Sequence, residues 1–299
     1  MAASRLKSIP SSVSACLICC GLVLLCAELS TGAPALNADE AESERLARLP
    51  TPEGMVRVSK GEFLMGSRDR ENRGGYQVEQ PAHLVYLDAF EIDRYEVSNV
   101  RYLRFVRATG HASPVYWTGR RFSEVMANDP VIGVNWDDAG AFCHWERKRL
   151  PTEAEWEKAA RGPAGFEYPW GNNRPTPALA QFGLDLPMAT SPIDDPHGRP
   201  YPPVAKVDAF PQSQSPFGVY QMAGNVMEWV QDWWAGDYYR RSPARNPTGP
   251  ETGEHKVVRG GSWNDDPLAL RATTRTAADP RVRTRTIGFR CARATGAGR

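Results

Sequence analysis

The chain has 299 residues, 41% hydrophobic and 24% charged, and its 36 basic side chains balance 35 acidic ones to a net charge of +1. That composition excludes a disordered or fibrous chain, and the near-neutral balance leaves no global field to draw nucleic acid or an anionic membrane. With 26 Gly, 25 Pro and 9 Trp, it points to a loop-rich fold stitched by aromatic side chains.

Residues 1–35 read as a signal peptide. Arg5 and Lys7 form a positive start, Ala15 to Ala27 an apolar core, and Ala33-Pro34-Ala35 an A-x-A cleavage site, with Ala38 the next choice. The apolar run is shorter than the about 17 residues that span a bilayer, so no stable membrane span is expected. A lipoprotein reading fits less well, because the apolar core follows Cys16 and bulky Leu25 precedes Cys26. The expected location is periplasmic or secreted. Once the signal leaves, only Cys143 and Cys291 remain, either as one disulfide or as two buried thiols.

Residues 36–52 are polar and read as a flexible leader with room for a brief helix, with one domain at 53–294 and a tail at 295–299. Two strands are expected at Met55–Val58 and Glu62–Met65, a polar loop over Gly66–Gln80, and a further strand within Ala82–Ile92. Ser98 caps a helix running to about Thr109, with Gly110 as its stop. Val131–Arg149 reads as a strand running into a helix capped by Asp137 or Asp138. Thr152 and Glu155 form a T-x-x-E capping box that opens another helix, ending at Arg161-Gly162. Tyr168–Pro216 is almost all loop, a length that is usually functional or pinned. Lys256–Trp263 reads as a strand entering a glycine turn, and Ile287–Cys291 as the last strand.

Between them, Gly218–Trp234 is the densest stretch. Gly218-Val219-Tyr220 reads as a short strand and Ala223-Gly224 as a turn. Asn225 and Glu228, three apart, share one face of a helical turn. They suit either a helix N-terminus, with Asn225 as the cap, or a calcium ion held by oxygen ligands.

Nine short motifs follow one another in order, among them Tyr95-Glu96-Val97-Ser98-Asn99, Arg149-Leu150-Pro151-Thr152-Glu153, Gly224-Asn225-Val226-Met227-Glu228-Trp229, Arg259-Gly260-Gly261-Ser262-Trp263 and Gly288-Phe289-Arg290-Cys291. Together they span about residues 53 to 294 and closely resemble the formylglycine-generating enzyme, or sulfatase-modifying factor, family. The resemblance implies a single α+β domain of the C-type-lectin-like kind, low in regular structure. It implies calcium at Asn225, Val226, Glu228 and Gly224, a second calcium site at Gln181, Phe182 and Asp195, and a disulfide between Cys143 and Cys291. It also marks a departure. Family members that oxidise a substrate cysteine hold copper(I) with two cysteines just after Gly-Gly-Ser, and here Asp265 and Leu270 stand in those places. A carboxylate and an alkyl chain do not make a two-thiolate site for a soft cation, so copper is not expected.

Two classes of function follow. One is oxidative maturation of a periplasmic protein or peptide in a pocket lined by Arg259, Ser262, Trp263, Asn264, Asp265 and Asp266, with Asp265 or Asp266 as a base or hard-metal ligand. The other is a calcium-stabilised accessory or scaffold protein, favoured by the lack of any complete nucleophile-base set. Formylglycine generation itself is the weaker third reading.

Overall fold

The computed structural model describes residues 37–68, 77–184 and 203–295. The expected signal peptide, Asp185, Asp194, Asp195 and residues 296–299 of the tail lie outside the described residues. Four helices are present: α1 (Ala38–Ala47), α2 (Asn99–Thr109), α3 (Trp136–Trp145) and α4 (Glu153–Arg161). They surround three small sheets. One orders β1 (Met55–Val58), β4 (Phe90–Asp93) and β9 (Ala292–Ala294); the second pairs β2 (Gly61–Met65) with β3 (His83–Leu87). The third has four strands, in the order β7 (Arg275–Ala278), β6 (Lys256–Arg259), β5 (Met227–Trp233) and β8 (Ile287–Phe289).

Local signals set three of the helices. Ser98 accepts from the Arg101 amide at the start of α2, and Gly110 ends it in the left-handed conformation. Thr152 and Glu155 form the expected capping box of α4. At α3 the cap is Asn135 instead of Asp137 or Asp138, with Asp138 supplying the reciprocal bond to the Asn135 amide. An amide and a carboxylate three apart satisfy two orphan donors there, and Val131–Val134 ahead of them forms no strand.

Four further expectations are corrected. The leader is not free: α1 is capped by Asn37 and buries Leu46 in the core beside α2. Arg104 of α2 clasps its end by donating to the Ala47 and Leu49 carbonyls, at 3.0 and 3.1 Å. Gly218–Tyr220 is irregular, its Tyr220 amide bonding the Arg94 carbonyl. The stretch after Asn225 is a strand, not a helix. β5 is central in its sheet, and Trp229 packs into one core cluster while Val230 packs into the other. Opposite faces buried in alternation are what a strand between two layers requires. At the chain's end the expected single strand is split into β8 and β9, with Arg290 and Cys291 at the break.

The Cys143–Cys291 disulfide forms, tying the end of α3 to that break with Cα atoms 5.6 Å apart and both residues fully buried.

Candidate functional site

The site is organised by Asn225, which sits in the left-handed region at φ 63° after Gly224 at φ 77°. A helix N-cap needs extended backbone, so this geometry removes the capping role. It also makes Asn225 a four-way junction. Its amide N–H donates to the Gln181 carbonyl and its carbonyl accepts from the Trp263 amide, both at 2.8 Å. Its side-chain Oδ1 accepts from the Ala205 amide at 2.8 Å, and Nδ2 donates to the Glu96 carboxylate at 2.8 Å. Gly224 is required beside it, because a Cβ there would stand 2.5 Å from the Gln181 carbonyl oxygen. The Gly183 and Leu184 amides extend the junction to the Asp265 and Trp263 carbonyls, at 2.9 and 3.0 Å. The loop at 181–184, the turn at 224–226 and the turn at 262–265 therefore form one hydrogen-bonded unit, with Asn225 buried inside it and Gly183, Asn264 and part of Asp265 at its surface.

Beneath it lies a buried charge cluster. Arg290 grips Glu228 with Nη2 on Oε1 at 2.6 Å and Nε on Oε2 at 2.7 Å, and Trp156 Nε1 donates to the same Oε2 at 2.8 Å. Glu96 is fully buried beside them. Burial first, and the Glu228 charge second, push its carboxyl well above the usual carboxylate range, against the pull of Arg290 and the Asn225 amide. Glu96 and Arg290 stand inside the quoted motifs, yet nothing in the spacing marks them, or Trp156, as one cluster. Three distant segments bring them together.

The cluster meets part of what the expected calcium ion requires. Two carboxylates face one guanidinium, an excess of one negative charge when both are ionised. Gln221, three residues before Gly224, is buried with its Oε1 unpartnered while its Nε2 donates to the Lys206 carbonyl. The Arg290 guanidinium touches the Tyr220 carbonyl at 2.9 Å as well as Glu228, so Gln221 lies next to the cluster. With the Glu96 carboxyl raised, Glu228 and Arg290 are a matched pair, so what fits a hard cation here is the orphaned Gln221 oxygen beside Glu228. The Asn225 amide does not join that set, since its oxygen faces the Ala205 N–H. Gln181 of the expected second site turns its side chain to the Pro203 carbonyl at 2.7 Å, and Phe182 packs with Trp170 against a small cluster that includes Leu270.

The pocket expected around Arg259 divides into surface and interior. Arg259 is buried, paired with Glu157 at 2.6 Å and Glu153 at 3.3 Å, and it binds no open space. Trp263 is also buried, donating from Nε1 to the Arg285 carbonyl at 3.0 Å. Asp266 caps the short turn Pro267–Leu270 by accepting from the Leu268 amide at 2.7 Å. What faces outward is Asn264, Asp266 and part of Asp265. Asp265 Oδ2 accepts from the Ser262 amide at 2.8 Å and from Ser262 Oγ at 2.7 Å. Leu270 is fully buried.

A loop-rich α+β domain, pinned by one disulfide, with its turns gathered over a buried Glu-Arg-Glu cluster, defines a protein of the C-type-lectin-like, formylglycine-generating-enzyme kind. The profile of the sulfatase-modifying factor enzyme 1-like domain matches residues 40–295, and the chain belongs to that family. It is 36% identical to the formylglycine-generating enzyme of Thermomonospora curvata, over 80% of this chain and 93% of that protein. It is 33% identical to the mouse protein named inactive C-alpha-formylglycine-generating enzyme 2, over 81% of this chain and 86% of the mouse protein. Among solved structures, PvdO from Pseudomonas aeruginosa superposes with a TM-score of 0.64 at 27% identity, covering 80% of this chain and 94% of PvdO. Membership supports an accessory or maturation role. No helix among the described residues is long and apolar enough to cross a membrane.

Proposed function

We propose that this chain is an exported accessory or maturation factor that engages a peptide or protein client at the Asn264–Asp265 surface above the Asn225 junction, without copper-thiolate chemistry. The observation that carries the reading is the pair of residues at the two thiol positions. Asp265 is spent on Ser262, and Leu270 is packed out of reach. Neither supplies a soft ligand. Calcium, where bound, is held by the Gly224 and Val226 carbonyls, Glu228 and Gln221; it supplies a hard-oxygen crosslink that pins the turns presenting the client surface. The test has two arms. The purified protein, given copper(I), oxygen and a Cys-x-Pro-x-Arg peptide, leaves the peptide mass unchanged. A pull-down from periplasmic extract recovers a stoichiometric client with wild type but not with Asn264→Arg. Conversion of the peptide overturns the proposal.

The Ser262–Asp265 contact favours catalysis by a carboxylate base as a second reading, because a carboxylate within hydrogen-bond reach of a hydroxyl is placed to accept a proton. On that reading Asp265→Ala abolishes turnover of the client, and unchanged turnover excludes it.

A further inference from the structure

The α1 helix meets the domain through one leucine and a ring of charge. Of its ten residues, only Ser43 and Leu46 are buried. Leu46 enters the same core cluster as Leu103 and Val106 of α2. Ser43 brings a cost with it, since its buried Oγ has no hydrogen-bond partner among the described residues. A helix this short is marginal in water by itself, and one leucine is a small anchor.

Around that anchor the contacts are ionic. Asp39 meets Arg121 at 2.9 Å, Glu40 meets Arg120 at 3.7 Å, and Glu44 meets Arg107 of α2 at 3.9 Å. Arg45 answers in the other direction, reaching Glu124 at 2.7 Å. Just past the helix, Arg104 of α2 pairs with Glu53 and holds the Ala47 and Leu49 carbonyls. These side chains are exposed or half-buried, where an ion pair contributes little and salt screens it. The Glu228–Arg290 and Glu153–Arg275 pairs lie fully inside the domain and escape that screening.

We propose that α1 is a reversible strap, latched by these ion pairs over a preformed seat on α2 that accepts an acidic helix. The seat is the place of one leucine in the core cluster, rimmed by Arg104, Arg107, Arg120 and Arg121, and its occupant is α1 itself. Raised ionic strength opens the strap as a unit while the disulfide-pinned domain stays folded. Its opening lies well below global unfolding, as docking through so few buried apolar contacts requires.

The experiment is hydrogen exchange of the whole purified protein, resolved by peptide, at about 50 mM and about 1 M sodium chloride. Amides of residues 42–47 exchange at least about fivefold faster at high salt, the combined scale of several screened surface pairs, while those of residues 103–106 in α2 change less than about twofold. Arg120→Glu combined with Arg121→Glu raises the low-salt rate of α1 to the wild-type high-salt rate. Leu46→Asp opens α1 at either salt concentration, and unchanged exchange in α2 shows that the variant's domain is folded. A labelled peptide of residues 37–50 binds the Leu46→Asp protein in trans at low salt, and the same peptide carrying Leu46→Asp does not. Exchange of α1 in step with α2, or α1 exchange indifferent to salt, overturns the latch. Failure of the peptide to bind in trans overturns the preformed seat.

Discussion

Replacing Cys143 and Cys291 by alanine, singly and together, measures how far one covalent bond holds this loop-rich domain. The bond closes a loop with a sequence separation of 148. In the chain-entropy treatment, a crosslink closing a loop of that size removes enough freedom from the unfolded chain to stabilise the fold by about 5 kcal/mol. With a guanidinium m-value of about 5 kcal/mol/M, the denaturation midpoint of the double variant falls by about 1 M. Each single variant loses the same bond and falls by a similar amount, so the effects are strongly non-additive. Dithiothreitol lowers the wild-type midpoint and leaves the double variant unmoved. The assay is equilibrium unfolding followed by tryptophan fluorescence, with and without reductant. A fall below about 0.3 M, or additive single effects, refutes the reasoning, because the cysteines then act only as packed side chains.

Arg290→Met leaves Glu96 and Glu228 buried without their cation and costs about 3–5 kcal/mol in thermal or chemical denaturation, part of which Glu228→Gln restores in the double variant. Asp232 is buried and accepts from the Glu153 amide at 2.9 Å, and burial, reinforced by the Glu153 charge, raises its carboxyl to about 8. A raised acid contributes stability that is complete below its unfolded pKa and lost as pH rises toward the folded value. Wild type therefore loses stability between about pH 4 and pH 8 relative to Asp232→Asn, at up to about 1.4 kcal/mol per pH unit, read from unfolding curves across that range. Added calcium raises the melting temperature of wild type, and Gln221→Leu abolishes that rise while chelator-treated samples of the two melt alike. Gly224→Ala, forced against the Gln181 carbonyl, lowers the melting temperature by several degrees, at a cost above about 1 kcal/mol.

Much of the fold was legible because its signals are local. Ser98 and Thr152 announce α2 and α4, since a cap is satisfied within three residues. The α1 helix was not legible: only Ser43 and Leu46 are buried in it, and its place depends on Arg104 reaching across from α2. At the site, the absence of the two thiols was visible in the residues themselves. That Arg259 and Trp263 lie inside while Asn264, Asp265 and Asp266 face out was not, because a polar or aromatic residue after a strand reads the same on either side of a sheet.

By itself the sequence determined the family, the two cysteines available for one bond, and the missing copper ligands, because these are matters of residue identity and order. Only the tertiary structure decided that Asn225–Trp233 is a junction followed by a strand. Its spacing suits a helix, but Gly260, Gln181 and Trp263 claim its first backbone bonds, and two core layers claim Trp229 and Val230 on opposite faces. The same is true of Glu96, Glu228 and Arg290. Charges that are ordinary apart in sequence become one buried cluster when three distant segments meet, and burial then sets their chemistry.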